Sequence, residues 1–152
     1  MNTRKLWSFL LVITLLAAVD SVASAKSDEL KFTDVKKQTV EFIGYYKSIQ
    51  LTPEQENIKT EALKVIPASC CKKFSQATCC CVCNLSRSIW GLSKYLIARK
   101  NYDATQVRLA AQKWIDFTHP NGYAGDSCPA QRCGQAFHKD GCGGMGEQIV
   151  FE

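Results

Sequence analysis

Residues Cys79 to Leu96 read CCCVCNLSRSIWGLSKYL. Two patterns overlap here. Cys79, Cys80, Cys81 and Cys83 place four thiols in five positions. From Val82 onward, Leu85, Ile89, Leu92 and Leu96 step by three, four, three and four, which is one face of an amphipathic helix. Trp90 and Tyr95 flank that stripe, and Thr78 or Asn84 is available to cap its start. The expectation is a helix that opens on clustered cysteines.

Helical periodicity extends on both sides of this stretch. Val35, Thr39, Phe42, Ile43, Tyr46 and Ile49 recur at spacings of three and four. Thr52, Pro53 and Gln55 form a helix start, with threonine as N-cap, proline at the first helical position and glutamine closing a capping box. The face that follows is Ile58, Ala62, Val65 and Ile66, and Pro67 ends the helix. Beyond the quoted stretch, Asp103 and Gln106 make a second capping box. Val107, Ala110, Ala111, Trp114 and Ile115 continue it to about Thr118, before the breaker His119-Pro120-Asn121-Gly122. Helices of this length are marginal alone in water and must pack together. The fold class expected is all-α: a small bundle of about four short helices, a cysteine-rich loop and an irregular tail.

The two ends of the chain differ in character from this middle. Arg4 and Lys5 precede the apolar run Leu6 to Val19, and Val22-Ala23-Ser24-Ala25 ends in a small-x-small pattern. These are the three regions of a secretory signal peptide, with cleavage expected after Ala25. The run is shorter than the roughly 18 apolar residues of a membrane span, so no stable span is expected after cleavage. The helical domain would cover 26–119, and a tail of 120–152 would pack on it. That tail holds seven glycines, three cysteines and two prolines. It offers little apolar surface to offset its ordering entropy, although Ile149-Val150-Phe151 has the composition of a short strand or docking segment. No long-period repeat is visible.

All nine cysteines follow Ala25. In an oxidising compartment such density implies disulfides, yet an odd count leaves at least one thiol over. Two chemistries carry equal weight. In the first, thiolates bind a soft ion, copper(I) or zinc(II). A helix beginning near Cys79 would put Cys79 and Cys83, and Cys80 and Cys83, on one face a turn apart, at a helix end that favours negative charge. The candidate ligands are Cys70, Cys71, Cys79, Cys80, Cys81, Cys83, Cys128, Cys133, His138 and Cys142, with Met145 beside a glycine-rich stretch that permits tight folding. In the second, four disulfides staple loop and tail to the helices, each contributing roughly 2–4 kcal/mol. A third chemistry, thiol–disulfide exchange at Cys80 and Cys83, uses the one CxxC present. It lacks the preceding βαβ pattern of thioredoxin-like sites.

Other function classes find no support. The 19 basic and 14 acidic residues are interspersed, which describes a solvated mixed surface and argues against a nucleic-acid partner. Without Arg4, Lys5 and Asp20 the balance is 17 against 13. Ser86 and Ser88 have no histidine partner in a hydrolase motif and are expected to be solvated or capping; His119 and His138 are the two histidines. No paired-carboxylate site, phosphate loop or CxxCH haem site is present.

Between Tyr45 and Asp116 the chain runs from a tyrosine-bearing helix through Ile66-Pro67 into clustered cysteines, then to Val107-Arg108 and Trp114-Ile115-Asp116. This order resembles the bacterial exported proteins named for a PCYCGC motif. The motif itself is replaced here by Pro67-Ala68-Ser69-Cys70-Cys71. The resemblance implies export and clustered cysteines, and it assigns no catalytic residue. The expected function is an exported or periplasmic protein that binds copper or zinc for sequestration or delivery. A disulfide-stabilised module docking an extracytoplasmic protein partner is the alternative, and an oxidoreductase the second.

Overall fold

The computed structural model describes residues 30–68, 71–79 and 83–120. The expected signal peptide lies outside these residues, and so does the tail after Pro120. Four helices dominate: α1 (Val35–Ser48), α2 (Pro53–Lys64), α3 (Asn84–Lys100) and α4 (Ala104–Thr118). Between α2 and α3 sits a two-stranded antiparallel hairpin, β1 (Pro67–Ala68) and β2 (Cys71–Ser75). The all-α reading holds. The hairpin corrects the expectation of a plain loop there. Its first strand is only two residues long and its register shifts between Pro67 and Ala68, so no alternating apolar pattern of useful length reaches the sequence.

Local chemistry sets the helix ends. Asp34 accepts a hydrogen bond from the Lys37 amide at the start of α1, at 2.9 Å. Thr52 with Gln55 and Asp103 with Gln106 form full capping boxes on α2 and α4. Between α3 and α4 the chain reverses through Asn101, whose left-handed backbone (φ 54°) lets the Tyr102 amide reach the Leu96 carbonyl at 3.1 Å. Asparagine is one of the few residues other than glycine that accept this geometry readily.

Helix α3 is the hub, packing on α1, α2 and α4, while α2 also packs on α4. Its stripe of Leu85, Ile89, Leu92 and Leu96 is buried as expected, together with the whole predicted face of α4. The α1–α3 contact is close. A Cβ added at Gly91 would overlap the Phe42 carbonyl oxygen and lie 2.8 Å from the Tyr46 backbone nitrogen. Trp114 is fully buried and meets the rings of Phe42 and Phe32 at 5.0 Å each. In α2 the expected face shifts. Ala62 and Ile66 are buried, but Val65 is exposed, and Leu63 takes the core position instead. Val65 is the C-cap of α2, just past its last helical residue at Lys64.

Candidate functional site

Three of the ten expected metal ligands fall within the described residues. Cys71 lies on β2, paired in register with Ala68. Cys79 follows the turn after β2 and is partly buried. Cys83 is also partly buried and stands at the N-cap of α3. Cys70, Cys80, Cys81, Cys128, Cys133, His138 and Cys142 lie outside the described residues, as does Met145.

Cys83 is the best-defined of the three. Its backbone is extended (φ −91°, ψ 171°), and α3 begins at the next residue. The Ser86 amide donates to Cys83 Sγ at 3.5 Å. In return the Cys83 amide donates to Ser86 Oγ at 2.9 Å. The Ser86 hydroxyl lies 3.0 Å from the Cys83 carbonyl oxygen and 3.5 Å from Cys83 Sγ, within donating distance of either. This is a capping box in which sulfur replaces the usual hydroxyl or carboxylate. No acidic side chain occupies the first turn of α3.

That geometry corrects two expectations. The cap is Cys83 and neither Thr78 nor Asn84; Thr78 instead closes the turn after β2, its amide donating to the Ser75 carbonyl at 3.0 Å. Cys79 and Cys83 do not share a helical face, because both precede the first helical residue. The expected pairing of Cys80 with Cys83 involves a residue outside those described.

The thiol segment is tied at both ends. Upstream, the buried Gln76 donates its amide N–H to the Ile66 carbonyl at 2.8 Å, and its side-chain amide reaches the Pro67 carbonyl at 3.4 Å. Its carbonyl accepts a hydrogen bond from Trp90 Nε1 at 2.7 Å. Trp90 in turn packs against Tyr46, ring centres 5.6 Å apart. Downstream, the Cys83–Ser86 box fixes the start of α3. The sequence offered Trp90 only as a flanking aromatic; a tryptophan off the apolar stripe, with one N–H to place, was the available signal.

Ser86 has the capping role that was one of the two expected for these serines, while Ser88 is neither solvated nor a cap. Both are buried. Ser88 Oγ donates to the Leu85 carbonyl at 2.8 Å and accepts from Trp114 Nε1 at 2.9 Å. His119 ends α4, its Nδ1 2.9 Å from Thr118 Oγ1. Among the described residues no three His, Cys, Asp or Glu side chains form a metal-holding group. No helix among them is long and apolar enough to cross a membrane. No protein-family model, curated protein or solved structure matches the chain.

Proposed function

We propose that this chain is an exported, thiol-rich protein that binds a soft metal ion, copper(I) or zinc(II), for sequestration or delivery. The observation that carries this reading is the run of four cysteines leading straight into the N-terminus of α3, where Cys83 supplies the cap through its sulfur. A helix N-terminus attracts negative charge, and here sulfur occupies the place a carboxylate or hydroxyl normally takes. Clustered thiolates select soft and borderline ions over magnesium or calcium. The odd total of nine cysteines also leaves complete pairing within one chain impossible. The further ligands would come from Cys70, Cys71, Cys79, Cys80 and Cys81, with Cys128, Cys133, His138 and Cys142 of the tail as ligands or bridges.

The test is metal content together with a free-thiol count on protein purified from its native compartment. The expected outcome is bound copper or zinc, and thiols that become alkylated once the metal is removed. A metal-free protein with eight oxidised cysteines would reject the proposal in favour of a disulfide-stabilised interaction module. A substitution pair separates fold from binding. Cys83→Ser replaces sulfur with a preferred N-cap group, so α3 should keep its stability while soft-metal affinity drops. Cys83→Ala should lose both, with a stability loss of about 0.5–2 kcal/mol. Thermal unfolding and chelator competition on the two variants provide the check.

A further inference from the structure

The bond from Trp90 to the Gln76 carbonyl closes a loop, and the contents of that loop give it significance. The two partners are fourteen residues apart in sequence. Between them lie Cys79 and Cys83, both partly buried, and in sequence also Cys80 and Cys81. The residues from Asn84 on are already fixed in α3; the clasp acts on the stretch from Gln76 to Cys83, and holding its ends together removes part of that stretch's freedom before any ligand arrives. We propose that Trp90 is a positioning residue for the thiol segment: its indole N–H clasps the end of the hairpin to α3 and so preorganises Cys79 and Cys83. The inference rests on the metal-binding reading for its biological use, but the clasp itself needs no metal.

Each end of the clasp is anchored independently. Gln76 is held to the hairpin through Ile66 and Pro67. Trp90 sits on α3 two turns past the Cys83 cap, and Tyr46 of α1 backs its ring. The bond is short, at 2.7 Å, and part-buried. A donor lost from such a setting leaves the Gln76 carbonyl without that partner, and water replaces it only if the hairpin lifts from the helix. Preorganisation of this kind raises affinity by lowering the ordering entropy at the moment of binding.

The test uses the reduced full chain and two substitutions. Trp90→Phe removes the N–H and keeps an aromatic ring. Tyr46→Leu removes the ring behind Trp90 and keeps the N–H. Site-resolved alkylation by mass spectrometry reads the exposure of Cys79 and Cys83, and zinc competition against a chromophoric chelator reads affinity. The clasp predicts that Trp90→Phe speeds alkylation at both cysteines by about fivefold, the ratio set by one net hydrogen bond of ordinary strength, and weakens zinc binding by a similar factor. Tyr46→Leu keeps the N–H and loses only one support of the ring, so it should lower the melting temperature and speed alkylation less than Trp90→Phe does. Unchanged alkylation in Trp90→Phe, or equal acceleration in Tyr46→Leu, overturns the clasp. Should Trp90→Phe not fold, hydrogen exchange in the unaltered chain decides: a Trp90 indole proton that exchanges freely overturns the proposal, and a protected one upholds it. If the unaltered chain binds neither zinc nor copper(I), the proposed function fails while the alkylation arm still judges the clasp.

Discussion

At the scale of single residues, buried polar groups carry the specificity of this core. Trp114 is fully buried and its indole N–H has Ser88 Oγ as partner. Ser88→Ala would strand that donor, and stability should fall by about 1–3 kcal/mol, read by denaturant unfolding. Lys94 is a second case. It is buried, yet its ammonium donates to the Tyr46 and Ile49 carbonyls at 3.0 and 2.8 Å, which satisfies the C-terminal end of α1. Burial pushes its pKa below the ordinary lysine value; Lys59 adds to this and Glu56 opposes it. Tyr45 moves the other way. Its hydroxyl donates to Glu41 at 2.6 Å, and that bond, then burial and charge repulsion from Glu41, raise its pKa to about 12. The signs follow from proton counting. Between its lowered native pKa and the ordinary lysine value the native Lys94 holds fewer protons than the unfolded one, so stability rises with pH across that window and is flat well below it. Between pH 10 and about 12 the native Tyr45 holds more, so stability falls across that window. Tyr45→Phe should flatten the decline above pH 10 in a series of denaturant titrations.

At the scale of elements, legibility followed the reach of the chemistry. The capping boxes of α2 and α4 were readable because donor and acceptor lie three residues apart and use standard groups. The start of α3 was not, because its cap is a cysteine sulfur, outside the usual serine, threonine, aspartate and asparagine set. The hairpin was missed because a two-residue strand leaves no periodic trace. For the candidate site, the presence of a thiol run was plain in the sequence. Its arrangement was not, since placing Cys79 and Cys83 on one face depended on a helix start at Cys79, five residues ahead of the first helical residue, Asn84. Gly91 shows a limit that only the packing sets: there is no room for a larger residue there. Gly91→Ala would drive a Cβ into the backbone of α1. The expected loss is about 3 kcal/mol, at the upper end of overpacking effects, seen as a lowered melting temperature with α1 and α3 forced apart.

At the scale of the whole molecule, aromatic packing was legible only in part. The apolar stripes of α1, α3 and α4 foretold most of the core. Phe32 lies before any helix and so belonged to no stripe, yet its ring meets Phe42, Trp114 and Phe117 at 6.2, 5.0 and 5.9 Å. Leu63, inside α2, is likewise buried although it stood outside the face assigned to that helix. Contacts between segments distant in sequence decide such positions, and periodicity within one segment does not register them.

The pairing of the helices has a consequence for how the chain acquires its structure. Helix α1 packs on α3 and α2 packs on α4, so the partnerships interleave along the chain. Within the C-terminal half α3 and α4 pack on each other, whereas the main partners of α1 and α2 lie in that half and not in their own. A chain emerging from its N-terminus therefore lacks the main partners of α1 and α2 until α3 arrives, and α2 and α3 gain a further partner when α4 follows. The thiol segment is delivered between those two stages, just ahead of the helix that completes the first pairing.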